Sequence, residues 1–177
     1  KINLLPFASS MSPELRTFFA GAEAPLRSFD LWCKQHLPAG RVDHIGYKCG
    51  SREEFESLRE QLESASAYIY QSFISGRRIA IIKLQEALAT ELGSICFLEL
   101  SDQKPDGSQV SGFDHLEIYP VEQDFTVCVK GLIEKGIPFE QTVRPHHTTY
   151  GAKLTESFKI RLEEEPLIKK ITREEIF

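Results

Sequence analysis

Apolar residues recur along this chain in two rhythms, one helical and one alternating, and their order suggests a repeat. From residue 12 to residue 37 the spacing is helical. Ser12-Pro13-Glu14 supplies an N-cap, a proline for the first helical position and an acid for the first turn, and Phe18, Phe19, Leu26, Phe29 and Trp32 supply the apolar stripe. A break is expected at Gly21 to Pro25, and Pro38 to Gly40 reads as a turn. Val42 to Cys49 then alternates and predicts a strand. Ser51-Arg52-Glu53-Glu54 resembles a capping box, continued as a helix by Phe55, Leu58 and Leu62. Tyr68 to Ile74 and Arg78 to Leu84 read as strands joined by a Ser75-Gly76 hairpin turn, and Ser94 to Leu100 as a further strand.

After a polar, glycine-containing linker from Asp102 to Gly112, the order restarts. Phe113 to Tyr119 predicts a strand, and Asp124 to Lys135 a helix closed by Gly136. Phe139 to Val143 predicts a strand, followed by a turn region through Gly151. Ser157 to Glu163 alternates Phe158, Ile160 and Leu162 with Lys159, Arg161 and Glu163, and Thr172 to Phe177 reads as a last helical turn. The coarse order is a helical segment and then βαβββ twice. The expected fold is α+β, with two βαβββ modules forming a curved mixed sheet around a cleft. We expect one domain over 1–177, with a helical segment over 1–40, a first module over 41–104 and a second over 112–177.

Each module begins with an echo of the other, Val42-Asp43-His44-Ile45-Gly46-Tyr47-Lys48 and Phe113-Asp114-His115-Leu116-Glu117-Ile118-Tyr119. Strand parity sorts these residues by face. Ile45, Tyr47 and Cys49 share one face, and His44 takes the other with Val42, Gly46 and Lys48. In the second string Leu116 and Ile118 oppose His115, Glu117 and Tyr119. Both histidines are thus expected on the concave side, away from the helices. The last strand of each module adds an acid. Glu99 is expected to share a face with Ile95 and Phe97, opposite Cys96, Leu98 and Leu100, and Glu163 opposes Phe158, Ile160 and Leu162. Two imidazoles and two carboxylates suit Zn, Mn, Fe, Co or Ni, with water-filled positions left for substrate.

The 177 residues carry a net charge of −5, 41% hydrophobic and 27% charged residues, ordinary for a soluble globular protein. The acidic balance argues against nucleic acid, which calls for a basic stripe, and no apolar run is long enough to span a bilayer. Cys33, Cys49, Cys96 and Cys128 form no C-x-x-C pair, so reduced thiols and a cytoplasmic home are expected.

The segments 43–49, 76–84, 97–100, 112–118 and 171–176 resemble the YecM family. More broadly, the chain resembles the vicinal-oxygen-chelate superfamily, in which glyoxalase I, extradiol dioxygenases and bleomycin-resistance proteins pair two βαβββ modules around a cleft. The resemblance implies a divalent-metal site at His44, Glu99, His115 and position 163, where this chain has Glu163 and the YecM pattern has histidine. It also implies a small oxygen-bearing ligand and isomerase, lyase or dioxygenase chemistry.

Each residue also has a plainer reading. His44 and His115 can be core histidines bonded to carbonyls, Glu99 an ion-pair partner of Lys48 or Lys83, and the Glu163-Glu164-Glu165 run a solvated face. Glu117 is a candidate base or a cross-strand charge. Lys83, Phe97 and Tyr119 are expected to line the substrate cleft. Arg77 and Arg78 read as solubilising charges, and His146-His147 as a solvated loop. Three functions stay open: a metalloprotein acting on a small molecule, a metal-free protein that sequesters one, and an interaction domain with a vestigial cleft. Convergence of His44, Glu99 and His115 discriminates among them. Partner expectations are a small molecule, no nucleic acid, no membrane, and a monomeric or homodimeric chain.

Overall fold

The computed structural model describes residues 11–37, 39–74, 76–143 and 148–175. Two short helices open the chain, α1 (Pro13–Ala20) and α2 (Glu23–His36). The Ser12 hydroxyl accepts the Leu15 N–H at 3.2 Å, ahead of the proline that starts α1. The first module follows as β1 (Gly40–Lys48), α3 (Arg52–Glu63), β2 (Ser66–Ile74), β3 (Arg77–Thr90) and β4 (Gly93–Ser101). The second is β5 (Gly112–Pro120), α4 (Phe125–Glu134), β6 (Glu140–Val143), β7 (Thr148–Lys153) and β8 (Lys159–Leu162), and α5 (Leu167–Glu175) closes the described chain. Ser51 caps α3 through the Glu54 N–H, and Asp124 caps α4 through the N–H groups of Thr126 and Val127. Gly136 takes φ +83° just past the C-terminal end of α4, where residues with a Cβ are strained.

The eight strands form one mixed sheet in the order β2-β3-β4-β1-β5-β8-β7-β6. That order reads the same from either edge when one module is exchanged for the other. β1 and β5 pair antiparallel at the centre, and each pairs in parallel with the last strand of its own module.

Helices α1 to α4 cover one face. Leu15 and Phe19 of α1, Leu26 and Phe29 of α2, Phe55 of α3 and Leu132 of α4 join Ile45, Leu98, Leu116 and Ile160 in the main core. Burying each large side chain contributes roughly 1.5–3 kcal/mol, so this face is where most of the fold's cohesion lies. The opposite face carries a smaller cluster of Ile79, Ile81 and Ile171, with Leu167 and Phe97 packed against it. Since Leu167 and Ile171 belong to α5, that helix lies across the concave face.

Several expectations from the sequence need correction. The turn region expected through Gly151 instead enters a strand at Thr148, and β7 (Thr148–Lys153) completes the second module. β3 runs on to Thr90, past the expected end at Leu84, with a register shift against β4 between Lys83 and Leu88. The terminal helix starts at Leu167, well before Thr172. Strand parity places Val42 and Ile95 on the concave face, but both sit in the main core. In β1 the cause is a local shift of register: Val42 pairs with Ile118 and Ile45 with Leu116, so Asp43 and His44 together face Glu117. An extra residue of this kind reverses strand parity. Ile95 is displaced by the shift between β3 and β4. The His146-His147 pair, Ser75 of the hairpin turn and the last two residues of the expected helical turn lie outside the described residues.

Candidate metal centre

The two histidines meet where β1 and β5 cross the middle of the sheet. Their rings lie edge to face, with centroids 5.6 Å apart. His44 is 0% exposed and His115 1%. In each ring Nδ1 is held by the preceding aspartate, 2.8 Å from Asp43 Oδ2 in one case and 2.8 Å from Asp114 Oδ1 in the other. A carboxylate on Nδ1 holds a proton there, so it is Nε2 that gives up its proton when the ring turns neutral, as in a metal-binding imidazole. Each aspartate is itself anchored. Asp43 Oδ2 accepts the Leu167 N–H at 2.9 Å, tying the start of α5 to the site, and Asp114 Oδ2 pairs with Lys48 Nζ at 2.6 Å.

Parallel pairing of β4 with β1 puts Glu99 beside Gly46, and its Oε2 comes within 3.7 Å of His44 Nε2. Among the described residues, two groups offer ligand atoms all within 4.8 Å of one another: His44, Glu99 and His115, and Asp43, His44 and Glu117. Glu117, 7% exposed, stands between the rings, 3.8 Å from His44 Nδ1 and 4.0 Å from His115 Nε2.

Glycine at position 46 is required by the ring opposite it. A Cβ there would fall inside the His115 imidazole. Gly46 pairs with His115, and two residues after the other histidine the same place in the module is taken by Glu117.

The pairing registers also show which residues of β4 and β8 correspond. His44 pairs with Phe97 and Gly46 with Glu99, while His115 pairs with Lys159 and Glu117 with Arg161. The counterpart of Glu99 is therefore Arg161, and the counterpart of Glu163 is Ser101. Arg161 places Nη1 3.1 Å from His115 Nε2 and 3.5 Å from Glu117 Oε1. Glu163, only 3% exposed, accepts the Thr149 hydroxyl at 2.7 Å and pairs with Lys170 Nζ at 2.8 Å. It belongs to neither converging group. Matching Phe97-Leu98-Glu99-Leu100 to Lys159-Ile160-Arg161-Leu162 by their apolar positions would have brought Arg161 to notice.

Electrostatics bind these groups together. Burial alone pulls the His44 pKa down, but the charge of Glu117, the Asp43 hydrogen bond and the charge of Glu99 outweigh it and raise the value to about 9. Burial pushes Glu99 up, yet His115, His44 and Arg161 hold it below the usual carboxylate range. Asp114 is also held low, burial being overcome by His115 and Lys48. The four carboxylates nearest the rings are Asp43, Glu99, Asp114 and Glu117, and the fixed cations paired with them are Lys48 and Arg161. Two negative charges are left for the imidazoles or a divalent cation to balance.

The site fits a metal by a further test. His44 Nε2 is buried and has no hydrogen-bond partner among the described residues, an unfavourable state for a polar atom unless something coordinates it. His44, Glu99 and His115 supply the N,N,O donor set of a first-row divalent ion.

The site opens into a cavity of about 360 Å³ on the concave face, lined by Glu99, His115, Glu117 and Arg161 on one side and by Tyr70, Ile79, Ile81, Leu167 and Ile171 on the other. That volume suits a small molecule. Lys83, Phe97 and Tyr119, expected in its wall, stand outside it. Lys83 is exposed, with Nζ over the Tyr68 ring at 5.8 Å. Phe97 packs at the edge of the small cluster under α5. Tyr119 is half-buried near Asp43, and burial raises its pKa.

Two βαβββ modules sharing one sheet, with paired His strands facing a cleft, define a protein of vicinal-oxygen-chelate architecture. Over residues 9–163 the chain matches the family described as YecM protein, and it belongs to that family. Among solved structures it is similar to protein EC4020, a structural genomics target, with a TM-score of 0.76 and 16% identity over 93% of this chain and 97% of that one. A xylose isomerase-like TIM barrel/4-hydroxyphenylpyruvate dioxygenase fusion protein gives a TM-score of 0.49 at 12% identity, covering 72% of this chain and 26% of that one. A mutant of 4-hydroxymandelate synthase from Streptomyces coelicolor gives 0.40 at 14%, covering 73% and 49%. No curated protein matches significantly.

Proposed function

We propose that this protein binds one divalent transition metal through His44, Glu99 and His115, and acts on a small oxygen-bearing molecule in the cavity beside it. The observation that carries this reading is the buried Nε2 of His44, which has no hydrogen-bond partner among the described residues, on a ring whose Nδ1 is locked to Asp43. A bound ion supplies Lewis acidity that polarises a carbonyl or hydroxyl oxygen, the common need of isomerase, lyase and dioxygenase reactions. The side chains divide the remaining work. Asp43 and Asp114 keep both rings aimed at the cleft. Glu117 lines the cavity between the rings, where its carboxylate can take a proton from a bound molecule. Arg161, 3.5 Å from Glu117, pairs with that carboxylate and holds it in place.

Support for the wider setting is compositional. All four cysteines are free, as suits a reducing cytoplasm, and no described helix is long and apolar enough to cross a membrane. We infer a small-molecule partner and a monomeric or homodimeric chain.

Zinc titration calorimetry on tag-free, chelator-treated protein tests the metal. One equivalent of binding is expected, weakened at least a hundredfold by His44→Ala; uptake below about a tenth of an equivalent refutes the reading. A second reading, metal-free sequestration, is favoured by Arg161 Nη1 lying 3.1 Å from His115 Nε2, where the guanidinium already occupies that nitrogen. Arg161→Gln separates the two. Under the metal reading it strengthens zinc binding severalfold by removing a neighbouring cation. Under the sequestration reading zinc binding stays absent in both proteins.

A further inference from the structure

The cavity has a second polar end, distinct from the histidines. Four cations line it: Lys48, Arg77, Arg161 and Lys170. Three of them have carboxylate partners, Lys48 with Asp114, Arg161 with Glu117 and Lys170 with Glu163. Arg77 has none within 4.0 Å among the described residues. Its Nη1 donates to the neutral Gln109 Oε1 at 2.9 Å, and its Nε is buried with no hydrogen-bond partner among the described residues. A guanidinium with a buried, unused N–H and an unbalanced charge is a receptor for an oxyanion.

Its position along the sheet is informative. Arg77, Ile79 and Ile81 alternate on one face of β3, all three line the cavity, and Ile81 pairs with Glu99. Four residues of strand, roughly 13 Å, therefore separate the Arg77 backbone from the level of the histidine site. The wall between them is mostly aliphatic, built from Ile79 and Ile81 with Ile171 of α5 across the gap, and Ser72 and Ser101 flank Ile79 on the neighbouring strands. The cavity thus runs from a donor-rich centre, over a mostly aliphatic middle, to an uncompensated cation.

Resting on the reading above, we propose that the ligand is an acid with an apolar body, its carboxylate held by Arg77 and an oxygen at its other end turned to His44, Glu99 and His115. The fixed guanidinium selects the charged end, and the wall between selects the length.

Unbranched α,ω-dicarboxylates of four to ten carbons and their diamides serve as probes in titration calorimetry, with both chelator-treated and zinc-loaded protein. One chain length is expected to bind best and more tightly than its diamide. Arg77→Gln is expected to weaken that diacid at least about tenfold, the scale of losing a charged hydrogen-bonded contact, and to leave the diamide unchanged. Arg77→Lys is expected to restore part of the loss. Arg78→Gln is the control: Arg78 pairs with Asp102 at 2.7 Å and Glu56 at 3.1 Å, so its removal should not matter. The proposal falls if no diacid binds better than its diamide, or if Arg77→Gln, folded as judged by its melting curve, binds the diacid like the original. Dependence on Arg77 in a protein that takes up no zinc overturns the metal reading alone; zinc uptake without dependence on Arg77 overturns this inference alone.

Discussion

The two modules present the same Asp-His pair to the same cleft, with different neighbours. In the first module His44 faces two carboxylates, Glu117 and Glu99, and its Nε2 has no hydrogen-bond partner among the described residues. In the second module His115 lies over Gly46, and Arg161 approaches its Nε2. Each difference falls at a corresponding position: Glu117 in one module against Gly46 in the other, Arg161 against Glu99. Two near-symmetric halves thereby build one lopsided site. A carboxylate-rich pole can attract a cation, and a guanidinium faces the other imidazole. A symmetric four-ligand cage would leave less room for substrate, because open coordination positions distinguish catalytic centres from structural ones.

The sharpest way to break this asymmetry is at Gly46. Gly46→Ala drives a methyl group into the His115 ring, and both strands are pinned by their neighbours. The expected result is a loss of about 3 kcal/mol of stability, the upper end for overpacking, and at least a hundredfold loss of metal affinity as the imidazole turns away. The reciprocal change, Glu117→Gly, makes that part of the second module like the first. It removes a charge without moving a ring, and should leave zinc affinity within about tenfold. Chemical denaturation and zinc calorimetry on both variants check the contrast. Equal losses in the two would mean that the glycine is not what positions His115.

How far this site could be read from the chain itself depended on how local its causes are. The Asp-His strings, the capped helices and the repeated element order rest on neighbouring residues, and the structure has them. Parity held for His44 and His115 but failed for Val42, two residues before the first histidine. The register shift at Asp43-His44 comes from pairing with β5, which a single strand does not reveal. β7 escaped because Thr148-Thr149-Tyr150-Gly151-Ala152-Lys153 buries only Thr149 and Ala152, too few for an apolar alternation to show. The role of α5 escaped for a similar reason. Its polar sequence meets the sheet through Leu167 and Ile171, while its anchor, Asp43, lies more than a hundred residues earlier. Glu99 was found from its place in an apolar strand, but its counterpart was sought by charge, at Glu163, when register leads to Arg161.

Proton binding offers a gentler way to probe the carboxylate-rich pole. In metal-free protein the folded-state pKa of His44 is raised from its ordinary 6.5 to about 9. A raised value means the folded state holds the proton more tightly than the unfolded chain. The stabilisation is fully present below pH 6.5 and is lost as pH rises through 9. Glu99 acts in the opposite sense: its lowered pKa contributes stability above its ordinary 4.5 that disappears as pH falls. Thermal melts of chelator-treated protein should therefore be most stable between about pH 4.5 and 6.5, and lose about 3 kcal/mol on going to pH 9. Zinc should reverse the alkaline slope, because metal and proton compete for the same imidazoles. A metal-free melting temperature that rises from pH 6.5 to 9 would contradict the proximity of Glu117 and Glu99 to His44.

The smallest expected effect tests the correspondence of the two last strands. If Glu163 were the counterpart of Glu99, neutralising either should weaken zinc binding alike. Their partners argue otherwise. Glu99 lies 3.7 Å from His44 Nε2, whereas both oxygens of Glu163 are engaged, one by the Thr149 hydroxyl and one by Lys170 of α5. Glu163→Gln keeps an oxygen for Thr149 and loses the charge facing Lys170, a largely buried pair whose loss costs roughly 1–3 kcal/mol. Its zinc affinity should stay within about twofold of the original. Glu99→Gln should lose at least about tenfold, with little change in melting temperature, because it removes a proposed ligand and leaves the packing of β4 in place. Zinc calorimetry on the pair decides the matter. A Glu163→Gln variant that binds zinc as poorly as Glu99→Gln would mean that Glu163 leaves Lys170 and turns to the metal on binding, and that α5 moves with it.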